Sequence, residues 1–258
     1  MTMNRIDKLF TEKKHDILNV YCTAGYPQLN SMLEVLGSLQ ANGADMVEIG
    51  MPYSDPLADG PVIQQSNMVA LSNGMSLEVL FEQLQTLRPA IHVPVILMGY
   101  MNPIMQYGME KFCEAAARVG VDGVILPDLP MYEFENFYKD LFEKHGLRFI
   151  FLVTPETSEE RIRKIDGLCS GFLYAVSSSS TTGNNKPIEE QELYFKKLHE
   201  MKLSNPILVG FGVKDRATFK AASLHTNGAI IGSAYIKALS ETKAIDRSTK
   251  EFLNTVLS

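Results

Sequence analysis

The sequence lacks the features that mark membrane, nucleic-acid-binding and exported proteins. No apolar run approaches the ~20 residues that an α-helix needs to cross a bilayer. The 24 lysines and arginines form no stripe and the net charge is −6, so nucleic-acid binding has little support. Residues 1–18 contain no apolar signal core, and we therefore expect no export signal.

Cysteine and histidine, the usual sources of disulfides and metal sites, are scarce. The three cysteines, Cys22, Cys113 and Cys169, are odd in number and scattered, and no CxxC pair occurs. The five histidines are equally dispersed. We therefore expect reduced, buried thiols in a cytoplasmic protein, and no metal site.

What the sequence does contain is a regular alternation of apolar runs and amphipathic segments. The runs are continuous in Val, Ile and Leu rather than alternating, which is typical of strands covered on both faces of a parallel sheet. Predicted strands cover 16–23, 46–50, 93–99, 122–128, 148–154, 171–177, 206–212 and 228–234. Predicted helices include 30–43, 76–88, 108–120, 158–168 and 189–202, and Gly43, Gly120 and Gly146 stand at expected helix ends.

Eight strand–helix units in 258 residues predict a (β/α)₈ barrel, with an open doubly wound sheet as the alternative. No composition shift or long linker marks a second domain, so residues 1–258 are predicted to form a single barrel domain. The stretch "IDKLFTEKK" (6–14) predicts an extra amphipathic helix before the first strand, at the bottom of the barrel.

Acidic residues follow the second predicted strand in the stretch "MVEIGMPYSDPLADGP" (46–61). In a barrel, active residues lie at the carboxyl ends of strands, so Glu48 and Asp59 could form an acid–base pair at one mouth. Alternatively, Glu48 pairs with a neighbouring cation, and Asp55 and Asp59 only form turns. The second strand has no basic residue to pair with Glu48.

Glycines near the ends of the last three predicted strands favour a phosphate site. They lie in "SSSSTTGNN" (177–185), "GFG" (210–212) and "GSA" (232–234). Glycine lets backbone N–H groups approach a phosphate, and Ser233 could add a hydroxyl donor. The serine-rich stretch is either a plain connecting loop or a lid that closes over ligand.

At this point the chain resembles a known family. "VEIGMPYSDPLADGP" closely resembles the signature of the tryptophan synthase alpha subunit family, and the resemblance covers nearly the whole chain. It implies a (β/α)₈ barrel that cleaves indole-3-glycerol phosphate to indole and glyceraldehyde 3-phosphate in a retro-aldol reaction. Further matches in order and spacing are "TAGYP" (23–27), "NP" (102–103), "PDLP" (127–130), "TTG" (181–183), "GFGV" (210–213) and "GSA" (232–234).

The resemblance also implies roles for individual residues. Glu48 stands where the family has its proton donor and acceptor, and Asp59 where an ionised carboxylate stabilises the indole N–H. The lid differs from the family pattern, because Ser178 and Ser180 replace a basic residue and a glycine. By resemblance the substrate pocket contains Tyr21, Ile63, Tyr174, Thr182 and Phe211, and the phosphate site contains Gly183, Gly212, Gly232 and Ser233.

The family partner is a beta subunit that uses pyridoxal phosphate to join indole to serine. The resemblance implies an alpha2beta2 heterotetramer in which indole passes between subunits, with no cofactor in this chain. Pro52, Asp55 and Asn102 stand where the family faces its beta subunit, and the isolated chain should be a poor catalyst. The alternatives are another phosphate-binding barrel enzyme, which would normally need a strand-end lysine, and a non-catalytic activator of the beta subunit.

Overall fold

The computed structural model describes residues 3–176, 188–210, 212–240 and 244–258. Within these residues one sheet contains nine strands, and every recorded strand pair is parallel. The strands are β1 (Ile17–Thr23), β2 (Met46–Gly50), β3 (Val95–Met98), β4 (Gly123–Ile125), β5 (Arg148–Ile150), β6 (Leu152–Val153), β7 (Leu173–Val176), β8 (Ile207–Gly210) and β9 (Gly228–Ile231).

The strand order closes the sheet almost completely on itself. The order is β5-β4-β3-β2-β1-β9-β8-β7-β6, and the two end strands are separated in the chain only by Phe151. Its carbonyl oxygen accepts the backbone N–H of Tyr174 at 3.0 Å, so the hydrogen bonding continues past the break. The fifth predicted strand, 148–154, is therefore two strands, and the fold is the predicted (β/α)₈ barrel rather than an open sheet.

Helices cover the outside of the sheet, and each of the five helices predicted above is confirmed. At the start of α9, the Ser158 hydroxyl accepts the N–H of Arg161, and Gly120 ends α6 with a φ of 85°. The helices are α1 (Arg5–Glu12), α2 (Met32–Ala41), α3 (Pro61–Ser72), α4 (Leu77–Gln83), α5 (Met101–Tyr107), α6 (Met109–Val119), α7 (Met131–Glu133), α8 (Lys139–Lys144), α9 (Glu159–Leu168), α10 (Ile188–Glu200), α11 (Arg216–Ser223), α12 (Ser233–Ser240) and α13 (Ile245–Leu257), with a 3₁₀ turn at Leu84–Thr86 and a π turn at Phe134–Tyr138.

Helix α1 covers the amino-terminal end of the barrel, as the sequence predicts. Its Ile6 side chain is fully buried and lies against Gly123 and Gly171, where added methyl groups would come within 2.9 Å and 3.2 Å of it. At the edge of this contact, Arg5 Nη1 donates to Asp122 Oδ1 at 3.0 Å. The bottom is thus closed by packing and ion pairing, which leaves the carboxyl ends of the strands for a ligand.

Two further observations bear on the class of protein. Among the helices described, none is long and apolar enough to cross a membrane. Cys22, Cys113 and Cys169 are buried, free thiols, as the sequence predicts.

Candidate active site

A cavity of about 500 Å³ lies at the carboxyl ends of the strands. Its walls come from β1, β2, β3, β7 and β9 and from the loops and helices that follow them. The structure brings together in this one cavity the predicted residues Tyr21, Glu48, Asp59, Ile63, Tyr174, Gly212, Gly232 and Ser233. Residues far apart in the sequence meet here because parallel strands present all their carboxyl ends on one side.

Glu48 is a buried carboxyl group inside the barrel. It lies opposite Tyr21 in the β1–β2 register and is only 1% exposed. Burial raises its pKa to about 8, against the opposing effect of a hydrogen bond from Asn19 and with a further rise from the charge of Asp59. Glu48 therefore keeps its proton near neutral pH and can act as an acid.

Asp59 lies in the loop between β2 and α3, in a more polar environment. Burial raises its pKa, whereas hydrogen bonds from the Tyr100 hydroxyl and the Asn67 amide lower it. The Asn67 amide nitrogen lies 3.3 Å from Asp59 Oδ2. Two donors thus stabilise the ionised form of Asp59, whereas the Glu48 carboxyl receives one, so the surroundings of the two acids differ.

Two tyrosines form the aromatic walls of the cavity, and two glycines make room for them. A side chain at Gly50 would overlap the Tyr21 hydroxyl, and one at Gly210 would overlap the Tyr174 hydroxyl. Burial raises the pKa of both phenols well above its ordinary value, so both stay neutral. The cavity thus offers flat, uncharged surfaces beside two carboxyl groups.

Another part of the cavity lining combines glycine, serine and lysine. Gly212, which has a φ of 77°, follows β8, and Gly232 immediately precedes α12. Backbone N–H groups in the first turn of a helix lack intrahelical partners and favour anions. Two lysines, Lys214 and Lys237, line the same cavity. This wall therefore suits an anionic group such as a phosphate.

Several predicted site residues lie outside the described part of the chain. These are Thr182 and Gly183, Phe211, and the lid serines Ser178 and Ser180. Their roles stay predictions.

The three residues predicted to face a partner line a second cavity, of about 540 Å³. The Asn102 amide donates to the Tyr53 hydroxyl at 3.0 Å, which joins the loop after β2 to the start of α5. Asp55 is exposed in this region, away from the first cavity. Pro52, Asp55 and Asn102 thus lie together, and Asp55 is separate from the Glu48–Asp59 pair.

Sequence reasoning missed several residues that support the site. Asn19 interrupts the apolar run of β1 two residues before Tyr21, and this spacing was the signal for a shared face. Lys237 lies one helical turn after Ser233, so a helix beginning at the serine places both on one face. Asn67 and Tyr100 carried no such signal, because they approach Asp59 only through the folded chain.

A family model described as "Tryptophan synthase alpha chain" matches residues 8–256. The chain belongs to this family. A tryptophan synthase alpha chain from Parabacteroides distasonis is 55% identical over 238 residues, covering 92% of this chain and 93% of the relative. Another, from Flavobacterium psychrophilum, is 51% identical over 240 residues, covering 93% of this chain and 94% of the relative.

Solved structures agree with this assignment. Tryptophan synthase subunit alpha from Legionella pneumophila superimposes with a TM-score of 0.89 at 33% identity, covering 99% of this chain and 97% of the other. Tryptophan synthase from M. tuberculosis in an aminoacrylate-bound form gives 0.85 at 28% identity, covering 98% and 100%. The alpha reaction of this family is a lyase reaction, the cleavage of indole-3-glycerol phosphate, and its alpha chains pair with a beta subunit.

Proposed function

We propose that the cavity cleaves indole-3-glycerol phosphate to indole and glyceraldehyde 3-phosphate, with Glu48 and Asp59 dividing the proton chemistry. The observation that carries this proposal is that two carboxyl groups with different surroundings line one cavity, and burial raises the pKa of one of them, Glu48, to about 8. Indole is a poor leaving group until its C3 atom is protonated, so the reaction needs an acid that is still protonated near neutral pH.

Glu48 first donates its proton to indole C3, which converts the ring to an electrophilic, positively charged state. The Glu48 carboxylate then removes the proton of the hydroxyl on the adjacent side-chain carbon. The bond between that carbon and C3 breaks, its electron pair returns to the ring, and the hydroxyl becomes the aldehyde of the product. Glu48 ends the cycle protonated, as it began, so one group serves as acid and then as base.

Asp59 stabilises the positive charge that develops on the ring nitrogen. Its carboxylate accepts a hydrogen bond from the indole N–H, and this bond strengthens as the ring is protonated. The donors Asn67 and Tyr100 favour the ionised state that this role requires. The two roles need different proton states, which the different surroundings of the two acids support.

The remaining predicted residues hold the two ends of the substrate. Tyr21, Ile63 and Tyr174 pack against the indole or glycerol, together with Phe211, and Thr182 meets Asp59 when the lid closes. The phosphate binds to backbone N–H groups near Gly183, Gly212 and Gly232 and to the Ser233 hydroxyl. Lys214 and Lys237 add positive charge at the same wall.

We also propose the assembly that the family suggests. The chain forms one domain over residues 1–258 and joins a beta subunit in an alpha2beta2 complex through Pro52, Asp55 and Asn102. Support comes from the family match over 8–256 and from the shared cavity of these three residues. Pyridoxal phosphate belongs to the beta subunit. The complex is cytoplasmic, where cysteines stay reduced, and the three free thiols of this chain agree with that compartment.

The test is release of indole from indole-3-glycerol phosphate by the purified chain. Glu48→Gln and Asp59→Asn should each reduce turnover at least ~100-fold, because each removes a group that acts on the reacting atoms. Glu114→Gln makes the same conservative change on the exposed face of α6 and should leave turnover unchanged. Near-normal turnover of either active-site variant, with normal circular dichroism, would refute the role assigned to that residue.

A second arm of the assay adds a beta subunit. Turnover of the isolated chain should be low and should rise severalfold on addition, because the partner would order the loops around the cavity. Equal turnover with and without the beta subunit would contradict the proposed activation while leaving the chemistry of Glu48 and Asp59 intact.

A further inference from the structure

Asn19 is a buried amide in the middle of the barrel, directly beside Glu48. Its side chain is fully buried, and its Nδ2 atom donates to Glu48 Oε2 at 3.1 Å. Its Oδ1 atom is also buried and has no hydrogen-bond partner among the described residues. The amide nitrogen of Asn19 is thus hydrogen-bonded to Glu48, whereas its amide oxygen accepts no hydrogen bond from the described residues.

Packing alone gives no reason for an amide at this position. The register partners of Asn19 on the two neighbouring strands are Met46 and Ile230, which are both apolar and buried. A buried polar group with an unsatisfied atom destabilises a fold compared with an apolar group of the same shape. Among the described residues the Asn19 side chain hydrogen-bonds only to Glu48, and we therefore look for its benefit there.

An amide suits a carboxyl group that changes its proton state during a reaction. The N–H₂ end can donate to a carboxylate, and the C=O end can accept from the O–H of a carboxylic acid. Rotation of the amide by about 180° exchanges the two ends without moving the rest of the side chain. A leucine of similar volume at this position could offer neither a donor nor an acceptor.

We propose that Asn19 is a positioning residue that holds Glu48 toward the substrate in both of its proton states by presenting its amide nitrogen to the carboxylate and its amide oxygen to the acid. This inference rests on the proposed role of Glu48 in cleavage. Asn19 itself does not line the cavity, so it acts through Glu48 rather than on the substrate.

The other groups around Glu48 do not duplicate this function. Burial raises the pKa of Tyr21, Tyr174 and Cys22, so these stay neutral over the working range. Asp59 acts in the opposite direction to Asn19, because its negative charge raises the pKa of Glu48. The Asn19 hydrogen bond lowers that pKa, so its removal should leave Glu48 a weaker acid.

The test is the pH profile of Asn19→Leu, a variant of similar volume without the amide. Loss of a hydrogen bond to a charged group should raise the pKa of Glu48 by about 1 to 2 pH units. The alkaline fall of kcat/KM, which occurs as free Glu48 loses its proton, should move to higher pH by that amount. We expect kcat to fall roughly 10-fold at neutral pH, with KM within about twofold of the wild-type value.

Control variants separate positioning from folding. Thr249→Val removes a fully buried hydroxyl on α13 that bonds Tyr235, away from the cavity, and should keep the wild-type pH profile. If Asn19→Leu fails to fold, the same pH profile is measured on Asn19→Val, whose smaller apolar side chain is suited to a strand.

Three outcomes would overturn the inference. They are an unshifted alkaline limb, an unchanged kcat, or a change confined to KM. Each is distinguishable from failure of the proposed function, which would appear as an active Glu48→Gln.

Discussion

Replacement of Glu48 by glutamine should stabilise the fold, and increasingly so as the pH rises. Below a pH of about 4.5, the ordinary pKa of this group, the wild-type carboxyl is protonated in both the folded and unfolded states. Above it the unfolded chain loses the proton, while the folded chain keeps it until about pH 8. The wild type therefore loses stability across this window, whereas glutamine is neutral throughout.

The two pKa values set the size of this effect. At about 1.4 kcal/mol per pH unit, the interval between 4.5 and about 8 corresponds to at most about 5 kcal/mol of unfolding free energy. Because water can reach the cavity in the folded state, we expect the unfolding free energy of Glu48→Gln to exceed that of the wild type by about 3 kcal/mol at high pH. Glutamine can still accept the Asn19 hydrogen bond through its side-chain oxygen, so that contact is retained.

Urea unfolding at pH 5, 7 and 9 measures the difference directly. The excess stability of Glu48→Gln over the wild type should be smallest at pH 5, at most about 1 kcal/mol, and largest at pH 9. Glu114→Gln, whose side chain is exposed on α6, should show a difference that does not vary with pH. A flat or falling difference for Glu48→Gln would refute the conclusion that burial keeps this carboxyl protonated.

Three further changes test the cavity and the barrel bottom. Gly210→Ala should push the Tyr174 ring out of place and lower turnover roughly 10-fold, measured by indole release, with a retained circular dichroism spectrum. Lys237→Met should raise KM roughly 3- to 10-fold with little change in kcat, and the increase should shrink at high salt. Ile6→Ala should lower the free energy of unfolding by about 3 kcal/mol, measured by urea titration, and leave KM unchanged.

Much of the fold could be predicted because barrel strands are apolar on both faces. The second predicted strand, 46–50, coincides with β2, since its ends are marked by Asp45 and the loop at Met51. The break at Phe151 could not be predicted. It arises from hydrogen bonding to neighbouring strands, and the local run "RFIFLVT" (148–154) is uniformly apolar.

Long-range contacts explain why some helices had no clear sequence signal. Helix α5 contains Pro103 within its first turn, and the backbone N–H of Met101 at its start bonds the Asp128 carboxylate at 3.0 Å. This cap comes from the segment after the next strand, so it is invisible in the local sequence. It also gives Asp128 a structural role at the start of α5.

The candidate site could be predicted to the extent that it follows one stretch of chain. Glu48 and Asp59 lie in one short stretch of the sequence, 46–61, so their residue types and spacing could be recognised together. The groups that set their proton states were not, because Asn19 reaches Glu48 only through the β1–β2 register. Likewise, Tyr100 reaches Asp59 from the segment after β3.

The central claim, that Glu48 carries out the proton transfers of cleavage, is tested most directly by a single-turnover measurement. Enzyme in excess over indole-3-glycerol phosphate separates the chemical step from product release, and calorimetry gives the substrate Kd of the same preparations. Glu48→Gln should bind substrate with a Kd within about threefold of the wild-type value and form indole at least ~100-fold more slowly. A variant that binds normally and forms indole at a rate within ~10-fold of the wild type would contradict the account.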